Sequence, residues 1–178
     1  KERALPSLHE NIKCGNSLIG SDIYKDVQVT LDDPAVAKRI NAFDWDVEFA
    51  EIMKVGGFDV VIGNPPYVRM EEFKEIKNYL KDHYESHEER ADLYIYFIEK
   101  GIKLIREKGF FSYIVSNKWL RSNYGRHIRK WLKDKKIEEI IDFKDLPVFN
   151  KAITYPCIIR VSKKPADNSF FVTQVQTL

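Results

Sequence analysis

Residues 58–67 read Phe-Asp-Val-Val-Ile-Gly-Asn-Pro-Pro-Tyr, and this stretch decides the fold. Its first five residues form a short, nearly continuous apolar run that is rich in β-branched side chains and lies between Gly57 and Gly63. Such a run predicts a strand buried on both faces, as in a parallel sheet covered by helices. The residues that follow Gly63 therefore lie at the carboxyl end of a parallel strand, which is where open α/β sheets bind ligands.

The segments before this strand have weaker patterns. Residues 12–14 form a short candidate strand. A helix is predicted over residues 34–42, with Asp33 as its cap, because Asp is favoured at the cap and Pro at the first helical position. A second helix is predicted over residues 45–53, and the glycines at 56–57 end it.

The segments after this strand alternate between helix and strand patterns. We expect a polar helix or ordered loop over residues 71–84, and an exposed, mobile connection over the highly charged residues 83–90. A long apolar helix follows Asp92, its predicted cap, with apolar side chains at three- and four-residue steps. Further buried strands are predicted over residues 110–115 and 137–143.

The tail contains two more β-rich segments, residues 152–161 and 170–175, separated by the turn-forming residues 164–168. We expect them to form an antiparallel β-hairpin at one edge of the sheet. Because strands alternate with helices over most of the chain, the whole pattern predicts an α/β fold with a parallel sheet and a C-terminal antiparallel hairpin.

The composition is that of one folded domain. The chain has 178 residues, of which 44% are apolar and 31% charged, and this excludes a chain that is disordered throughout. No segment has the ~18–20 consecutive apolar residues of a membrane span, and the N-terminus lacks the apolar segment of a signal peptide. We therefore expect a cytoplasmic protein with no membrane partner. Cys14 and Cys157 predict buried free thiols, with no disulfide and no metal site.

The tetrad Asn64-Pro65-Pro66-Tyr67 has the groups needed for methyl transfer to an exocyclic amine. Such an amine is a poor nucleophile because its lone pair is delocalised, and acceptors for both N–H bonds draw it toward a tetrahedral arrangement. The side-chain oxygen of Asn64 and the carbonyl of Pro65 can accept these bonds, since Pro66 biases Pro65 to an extended shape. Tyr67 offers the base a flat face, and such stacking is worth about 1–3 kcal/mol. The alternative is a turn in which two prolines end the strand.

These residues and their surroundings resemble the gamma group of DNA adenine-N6 methyltransferases, in particular the fused type IIG restriction-modification enzymes. The resemblance extends from about Ile12 to Val161. It implies a partial Rossmann-like, S-adenosylmethionine-dependent methyltransferase fold. It also implies S-adenosylmethionine as the cofactor, adenine N6 in DNA as the methyl acceptor, and the tetrad as the catalytic residues.

The resemblance implies further site residues. Asn16 matches the family residue that contacts the adenine of the cofactor, and Leu93 and Phe97 lie in a segment similar to the helix that borders the cofactor. Phe149 would stack on the target adenine from the side opposite Tyr67. Two such rings imply double-stranded DNA with a flipped adenine as the partner, because the pocket must replace the stacking that the base loses.

Basic residues are concentrated between positions 121 and 136, although 29 Lys and Arg against 27 Asp and Glu give a net charge of only +2. Such a stripe could lie against phosphates. The predicted DNA phosphate contacts are Arg121, Arg126, Arg129, Lys130 and Lys151. The alternative is the solvated outer face of a helix, which is common.

Two features of the family are missing from the sequence, namely the glycine-rich cofactor loop after the first strand and the acidic residue after the second. The chain is therefore interpreted as the C-terminal part of a catalytic domain, beginning near strand three and lacking a target-recognition domain. Residues 22–57 would be an insertion or linker, and residues 58–162 the catalytic core. We expect an incomplete cofactor pocket, no activity of the chain alone, and dependence on the rest of a parent polypeptide. Without the family's first two strands, the segment at Ile12 would lose its neighbours and one edge of the sheet would lie open. Such an open edge would favour self-association.

Two other functions stay open on the sequence alone. A protein glutamine N5 methyltransferase acts on an amide nitrogen with a similarly delocalised lone pair, and similar enzymes also use Asn-Pro-Pro-Tyr. A non-catalytic DNA-binding module would use the basic stripe only, and its binding would weaken steeply with salt. No nuclease motif is found in the sequence.

Overall fold

The computed structural model describes residues 8, 10–26, 34–69, 76–149, 155–167 and 169–178. The chain divides into two compact units, Lys1–Ala50 and Glu51–Leu178. Within the described ranges, the helices are too short or too polar to cross a bilayer.

The first unit consists of short helices around a small apolar core. Helix α1 is Ile23–Asp26, α2 is Pro34–Ile40, α3 is Trp45–Glu48, and α4, Ala50–Lys54, begins at the boundary between the units. Among its described residues, the buried apolar side chains are Leu18, Ile19, Ile23, Ile40 and Phe43. Helix α2 begins at Pro34 as predicted, whereas the predicted cap Asp33 lies outside the described residues.

Residues 12–14 do not form the predicted strand. The Ile12 side chain is 67% exposed, and the nearest backbone pairing is a single parallel bridge between Asn16 and Ala42. A strand needs a partner along its length to form a ladder, and residues 12–14 lack one among the described residues. Self-association through an open sheet edge stays a prediction. Cys14 is exposed, contrary to the prediction, whereas Cys157 is buried as predicted.

The helix predicted over residues 45–53 is divided in two. Phe49 has non-helical backbone angles, φ −128° and ψ 43°, between α3 and α4. Its ring stacks on Trp45 at 5.6 Å between centroids and lies 6.3 Å from Phe43. We attribute the break to this aromatic packing, because tertiary contacts override helix propensity in such a short segment.

The second unit is built on a five-stranded sheet with the order β1-β2-β4-β3-β5. In chain order the strands are β1 Phe58–Gly63, β2 Ile105–Ser116, β3 Lys136–Asp142, β4 Pro156–Ser162 and β5 Phe171–Gln174. Strand β1 is parallel to β2, and β5 is parallel to β3. Strand β4 is antiparallel to both of its neighbours, β2 and β3. This arrangement confirms the predicted α/β fold with a mostly parallel sheet that includes an antiparallel strand.

The helices of the second unit pack beside the sheet, and α6 covers β1 and β2. The helices of this unit are α5 Lys77–His83, α6 Tyr94–Leu104 and α7 Arg126–Leu132, and a 3-10 helix spans Asn117–Leu120. Helix α6 packs on β1 and β2, as its apolar periodicity predicted. Gly101 permits the close approach, because a Cβ atom there would lie 2.5 Å from Cε2 of the buried Phe111.

Strand β1 is an edge strand with one open face. Val60 is 54% exposed and Ile62 is 76% exposed. These side chains share a face because side chains alternate along a strand. The prediction of burial on both faces is therefore wrong for the face of β1 that carries Val60 and Ile62. Strand β1 also lies at the end of the sheet order in the described part of the chain.

The two tail segments do not form the predicted hairpin with each other. Strand β4 lies between β2 and β3, and β5 pairs with β3 at the far edge. The burial of the side chains accounts for the difference. Most β4 side chains are buried, including Cys157, Ile159 and Val161, which suits a central strand, whereas all four β5 residues are exposed.

The connection over residues 83–90 is less exposed than predicted. The backbone amides of Glu85 and Ser86 donate hydrogen bonds to the carboxylate of Glu99 on α6, at 3.2 and 2.8 Å. The ring of Tyr84 packs edge-on against Tyr96 at 5.4 Å between centroids. Tyr84 and Ser86 are buried as a result, so this charged segment is tied to α6 rather than free.

Candidate active site

The tetrad leaves the sheet directly after β1. Gly63 pairs with Tyr113 in the parallel ladder with β2, so Asn64 emerges at the carboxyl edge of the sheet beside Ile114. The structure places Asn64 and Pro66 in exposed positions, whereas Pro65 is buried. Burial of Pro65 fixes the backbone between two exposed residues. The amide of Asn64 is consequently open to a ligand rather than packed among apolar side chains.

Tyr67 is half-buried and held by two contacts. Its hydroxyl donates a hydrogen bond to the carbonyl of Ile114 on β2 at 3.1 Å. Its ring meets the ring of Tyr94 edge-to-face, with 6.0 Å between centroids and an interplanar angle of 81°. Burial, together with the nearby Cys157, raises the pKa of Tyr67 to about 12, so its hydroxyl stays protonated and can donate. These contacts fix the orientation of the ring.

The chain beyond Tyr67 is attached to the start of α6. The amide of Leu93 donates to the carbonyl of Val68 at 2.9 Å, and Arg69 forms an isolated antiparallel bridge with Asp92. Asp92 and Leu93 therefore fix the end of the segment 64–69, which we call the tetrad loop.

Asp92 has a different role from the predicted helix cap. Leu93 occupies the cap position of α6, and no side chain caps the helix there. The Asp92 carboxylate instead accepts a hydrogen bond from the hydroxyl of Tyr124 at 3.2 Å. The Tyr124 hydroxyl lies 3.0 Å from that of Tyr94. The Asp92 carboxylate therefore binds Tyr124, which is distant in sequence, instead of capping α6.

A polar cleft of about 630 Å³ opens where β2 and β3 end. Three of its lining residues are joined by hydrogen bonds: the side-chain amide of Asn117 donates to Asp142 Oδ1 at 2.8 Å, and the backbone amide of Lys144 donates to the same oxygen at 3.0 Å. The remaining lining residues are Lys118, Arg121, Ser122, Tyr124, Asp145 and Tyr155. Apart from Arg121, sequence analysis missed these residues. The available signal was position, because Asn117 follows β2 as Asn64 follows β1.

Phe149 is half-buried at a bend just before residues 150–154, which lie outside the described residues. Its proposed place opposite Tyr67 stays a prediction.

The predicted cofactor residues belong to different units. Asn16 lies in the first unit. Its side-chain oxygen accepts a hydrogen bond from the backbone amide of Leu18 at 3.3 Å, and its backbone amide donates to the carbonyl of Asn41 at 2.6 Å. Leu93 and Phe97 lie in the second unit, at the start of α6. Leu93 is buried, whereas Phe97 is only half-buried and keeps part of its ring open.

The predicted phosphate contacts differ in their surroundings. Arg121, Arg126 and Lys130 are exposed. Arg129 is half-buried, and its Nη1 donates to the carbonyls of Trp119 and Ser122 at 2.5 and 2.9 Å. Its guanidinium is thus engaged with the polypeptide. Lys151 lies outside the described residues.

Comparisons with known proteins place this geometry in a family. The model of the Eco57I restriction-modification methylase family matches residues 2–149. The type II restriction enzyme and methyltransferase RM.Eco57I of Escherichia coli is 33% identical over 174 residues, which is 94% of this chain and 16% of that protein. The type II methyltransferase M.BstVI of Geobacillus stearothermophilus is 37% identical over 129 residues, covering 70% of this chain and 22% of that protein. The chain thus spans less than a quarter of these relatives.

The fold comparison agrees. The structure of the type IIL restriction-modification enzyme MmeI in complex with DNA aligns with a TM-score of 0.58 at 17% identity, over 76% of this chain and 19% of that one. Other neighbours at similar scores show that the fold is that of class I S-adenosylmethionine-dependent methyltransferases. With a family match over most of the chain and a relative at 33% identity, the chain belongs to the Eco57I restriction-modification methylase family.

Proposed function

We propose that this chain carries the catalytic half of an enzyme that methylates adenine N6 in DNA as part of a restriction-modification system. The observation that supports it most is the tetrad, in which an exposed Asn64 stands beside a Tyr67 ring fixed by Ile114 and Tyr94. The relatives named above are methyltransferases of such systems, and this chain covers only a small part of them. The isolated chain is therefore proposed to be inactive without the rest of its parent polypeptide.

The tetrad would act by orienting the amine. The side-chain oxygen of Asn64 accepts one N6–H bond and the carbonyl of Pro65 accepts the other, which draws the nitrogen lone pair out of the ring. A bound sulfonium donor would supply the methyl group: the new N6–methyl bond would form as the donor's sulfur–methyl bond broke, and the nitrogen would then lose one proton. Because Asn64 is exposed, that proton has a route to water. Positioning of this kind supplies most of the catalysis when the donor is already activated.

Tyr67 would hold the extruded base. A stacked aromatic ring is worth about 1–3 kcal/mol per base. Its hydroxyl bond to Ile114 keeps the ring from rotating out of plane. Phe149 is proposed as the second ring, on the other face of the adenine.

S-adenosylmethionine is the proposed methyl donor, and its sulfonium supplies an activated methyl group. The ring of Phe97 fits one wall of an adenosine site, since its partly open face offers the apolar surface that suits a purine, and the buried Leu93 would lie behind that wall. Asn16 would contact the adenine. The rest of the pocket would come from the parent polypeptide.

Double-stranded DNA is the proposed partner. The polar cleft carries Lys118, Arg121 and Lys144 at the same edge of the sheet as the tetrad. Arg126 and Lys130 extend the exposed positive charge along α7. Cations on the edge that holds the target base can neutralise the neighbouring phosphates.

The test is methyl transfer by the full-length parent carrying Asn64→Ala. We expect roughly a 100-fold loss of tritiated methyl incorporation into adenine-containing duplex, which is typical when one positioned hydrogen-bonding group is removed. Asn78→Ala is the matched control, because Asn78 is exposed on α5 and outside the site. Undiminished transfer by Asn64→Ala ends the proposal.

The same assay separates the alternatives. Label recovered in a polypeptide rather than in N6-methyladenine would indicate a protein glutamine methyltransferase. Salt-sensitive DNA binding by an intact parent that transfers no methyl group would indicate a binding module.

A further inference from the structure

Three side chains form a directed hydrogen-bonded chain behind the tetrad. The Tyr124 hydroxyl donates to Asp92 Oδ2 at 3.2 Å, and the hydroxyls of Tyr94 and Tyr124 lie 3.0 Å apart. A phenol has one proton to give, and that of Tyr124 goes to the carboxylate. Tyr94 must therefore donate to the oxygen of Tyr124, so the direction runs from Tyr94 through Tyr124 to Asp92.

Both tyrosines keep their protons under ordinary conditions. Burial raises the pKa of Tyr94, which is 0% exposed, and its bond to Tyr124 adds to the shift. Burial also raises the pKa of Tyr124. The chain of hydrogen bonds is consequently intact at neutral pH.

Each end of this chain touches the tetrad loop. The Tyr94 ring supports the edge of the Tyr67 ring, and Asp92 pairs with Arg69 next to the bond from Leu93 to Val68. One contact acts on the ring of Tyr67 and the other on the backbone that follows it. Tyr124 is linked to the loop through these two residues.

Tyr124 is presented by a tightly packed turn. A Cβ atom at Gly125 would lie 2.0 Å from the carbonyl oxygen of Trp119, so the turn and the 3-10 helix are in close contact. The guanidinium of Arg129 bonds to the carbonyls of Trp119 and Ser122 on the same turn. The backbone that carries Tyr124 is therefore fixed, and so is the position from which its hydroxyl binds Tyr94 and Asp92.

From this geometry we propose that Tyr124 is a positioning residue for methyl transfer, which holds the Tyr67 ring in its stacking orientation through Tyr94 and Asp92. The inference rests on the proposed function. Tyr124 does not contact the base in this scheme. It restricts the motion of the Tyr67 ring, which stacks on the base.

Tyr124→Phe in the full-length parent tests the inference, because it removes both hydrogen bonds and keeps the aromatic ring. We expect kcat for methyl transfer to fall roughly tenfold, with the KM values for DNA and cofactor within about twofold of wild type, since orientation rather than binding is lost. With 2-aminopurine at the target position, the emission of the flipped base should also change, because its stacking on Tyr67 is less well defined.

Tyr96→Phe is the matched control. Tyr96 lies on the same helix and loses comparable hydroxyl bonds, to His87 Nδ1 at 2.9 Å and to the carbonyl of Glu88 at 3.3 Å, away from the tetrad loop. We expect its kcat and 2-aminopurine emission to match wild type. Asp92→Asn, which keeps an acceptor oxygen, should retain most of the activity that Asp92→Ala loses.

The outcomes are distinguishable from those of the proposed function. If Asn64→Ala and Tyr67→Ala keep full transfer, the proposed function fails whatever Tyr124 does. If they lose transfer while Tyr124→Phe keeps wild-type kcat and emission, only the positioning role is overturned. Equal losses in Tyr124→Phe and Tyr96→Phe would likewise overturn it, by indicating general destabilisation.

Discussion

The side chain of Tyr67 has a ring and a hydroxyl with separate roles. The ring is proposed to stay open toward a base, while the hydroxyl donates a hydrogen bond to the carbonyl of Ile114. The tetrad pattern in the sequence indicates the ring's role but not the hydroxyl's, because the hydroxyl's partner lies on β2, far along the chain. Local sequence therefore predicted the chemistry of the tetrad and not its support.

The buried hydroxyl of Tyr67 predicts a particular loss of stability at high pH. Its pKa is raised from 10.0 to about 12, so the unfolded chain loses this proton first as the pH rises. The stability that the neutral hydroxyl contributes is complete below pH 10 and is lost as the pH approaches about 12. We expect the urea midpoint of the full-length parent to fall more steeply over this range than that of Tyr67→Phe. Parallel curves for the two proteins would contradict the assignment.

At the scale of elements, side-chain burial decided the sheet order where sequence rules did not. Two consecutive β-rich segments separated by a turn favour a hairpin, and the tail has that pattern. Strand β4 has Cys157, Ile159 and Val161 buried on one face, however, and Arg160 is its one exposed residue. A strand with this much buried surface gains most in the centre of a sheet, between β2 and β3. The exposed β5 is left for the edge.

The connection over residues 83–90 illustrates the same limit. Its charged sequence predicts a mobile loop, but the partner that orders it is Glu99, a carboxylate buried on α6. The sequence does not indicate that one acidic residue on a predicted helix accepts hydrogen bonds from two backbone amides of the preceding segment. These bonds depend on how α6 packs against the connection.

Glu99→Leu should release this connection. Glu99 is 0% exposed and also accepts from Lys103 Nζ at 2.6 Å, so its loss leaves two backbone donors without their partner. We expect a destabilisation of about 3 kcal/mol and faster hydrogen exchange at the amides of Glu85 and Ser86. Exchange measured by mass spectrometry on the full-length parent checks this.

Glu51→Ala is the control for that change. Glu51 pairs with Lys54 in an exposed i,i+3 ion pair, which contributes at most about 0.5 kcal/mol. Its removal should leave exchange in residues 84–87 unchanged. Slow exchange retained in Glu99→Leu would show that other contacts order the segment.

At the scale of the whole second unit, the polar groups gather at one edge of the sheet. Asn64 follows β1, Asn117 follows β2, and Asp142 ends β3, and the three strands run in the same direction. The common direction of these three strands was predicted from the sequence as a parallel sheet, and the structure confirms it. The position of the antiparallel β4 between β2 and β3 was not predicted, because the hairpin pattern of the tail placed it at an edge.

The cleft at this edge predicts a charge-dependent contribution to DNA binding. Lys118→Gln and Lys144→Gln in the full-length parent should each weaken binding and lower the slope of log K against log salt by about 0.9, if each cation contacts one phosphate. Fluorescence anisotropy with labelled duplex at several salt concentrations measures both quantities.

Lys108→Gln is a matched control for Lys144→Gln. Both lysines have left-handed backbone angles, φ 64° and φ 55°, but Lys108 lies before Phe110, toward the opposite end of β2. Its substitution should leave affinity and salt slope unchanged. Equal effects at the two positions would show that overall charge, rather than the cleft, governs binding.

The central position of β4 also affects how the chain is made. Ser162 pairs with both Phe110 and Lys136, so β2 acquires its second neighbour only after a long further stretch has been synthesised. Until then a newly translated β2 has an unpaired, apolar edge that strands of other nascent chains can join. Pauses in translation between β2 and β4 would prolong this interval. The yield of correctly folded protein should therefore depend on the translation rate over that stretch.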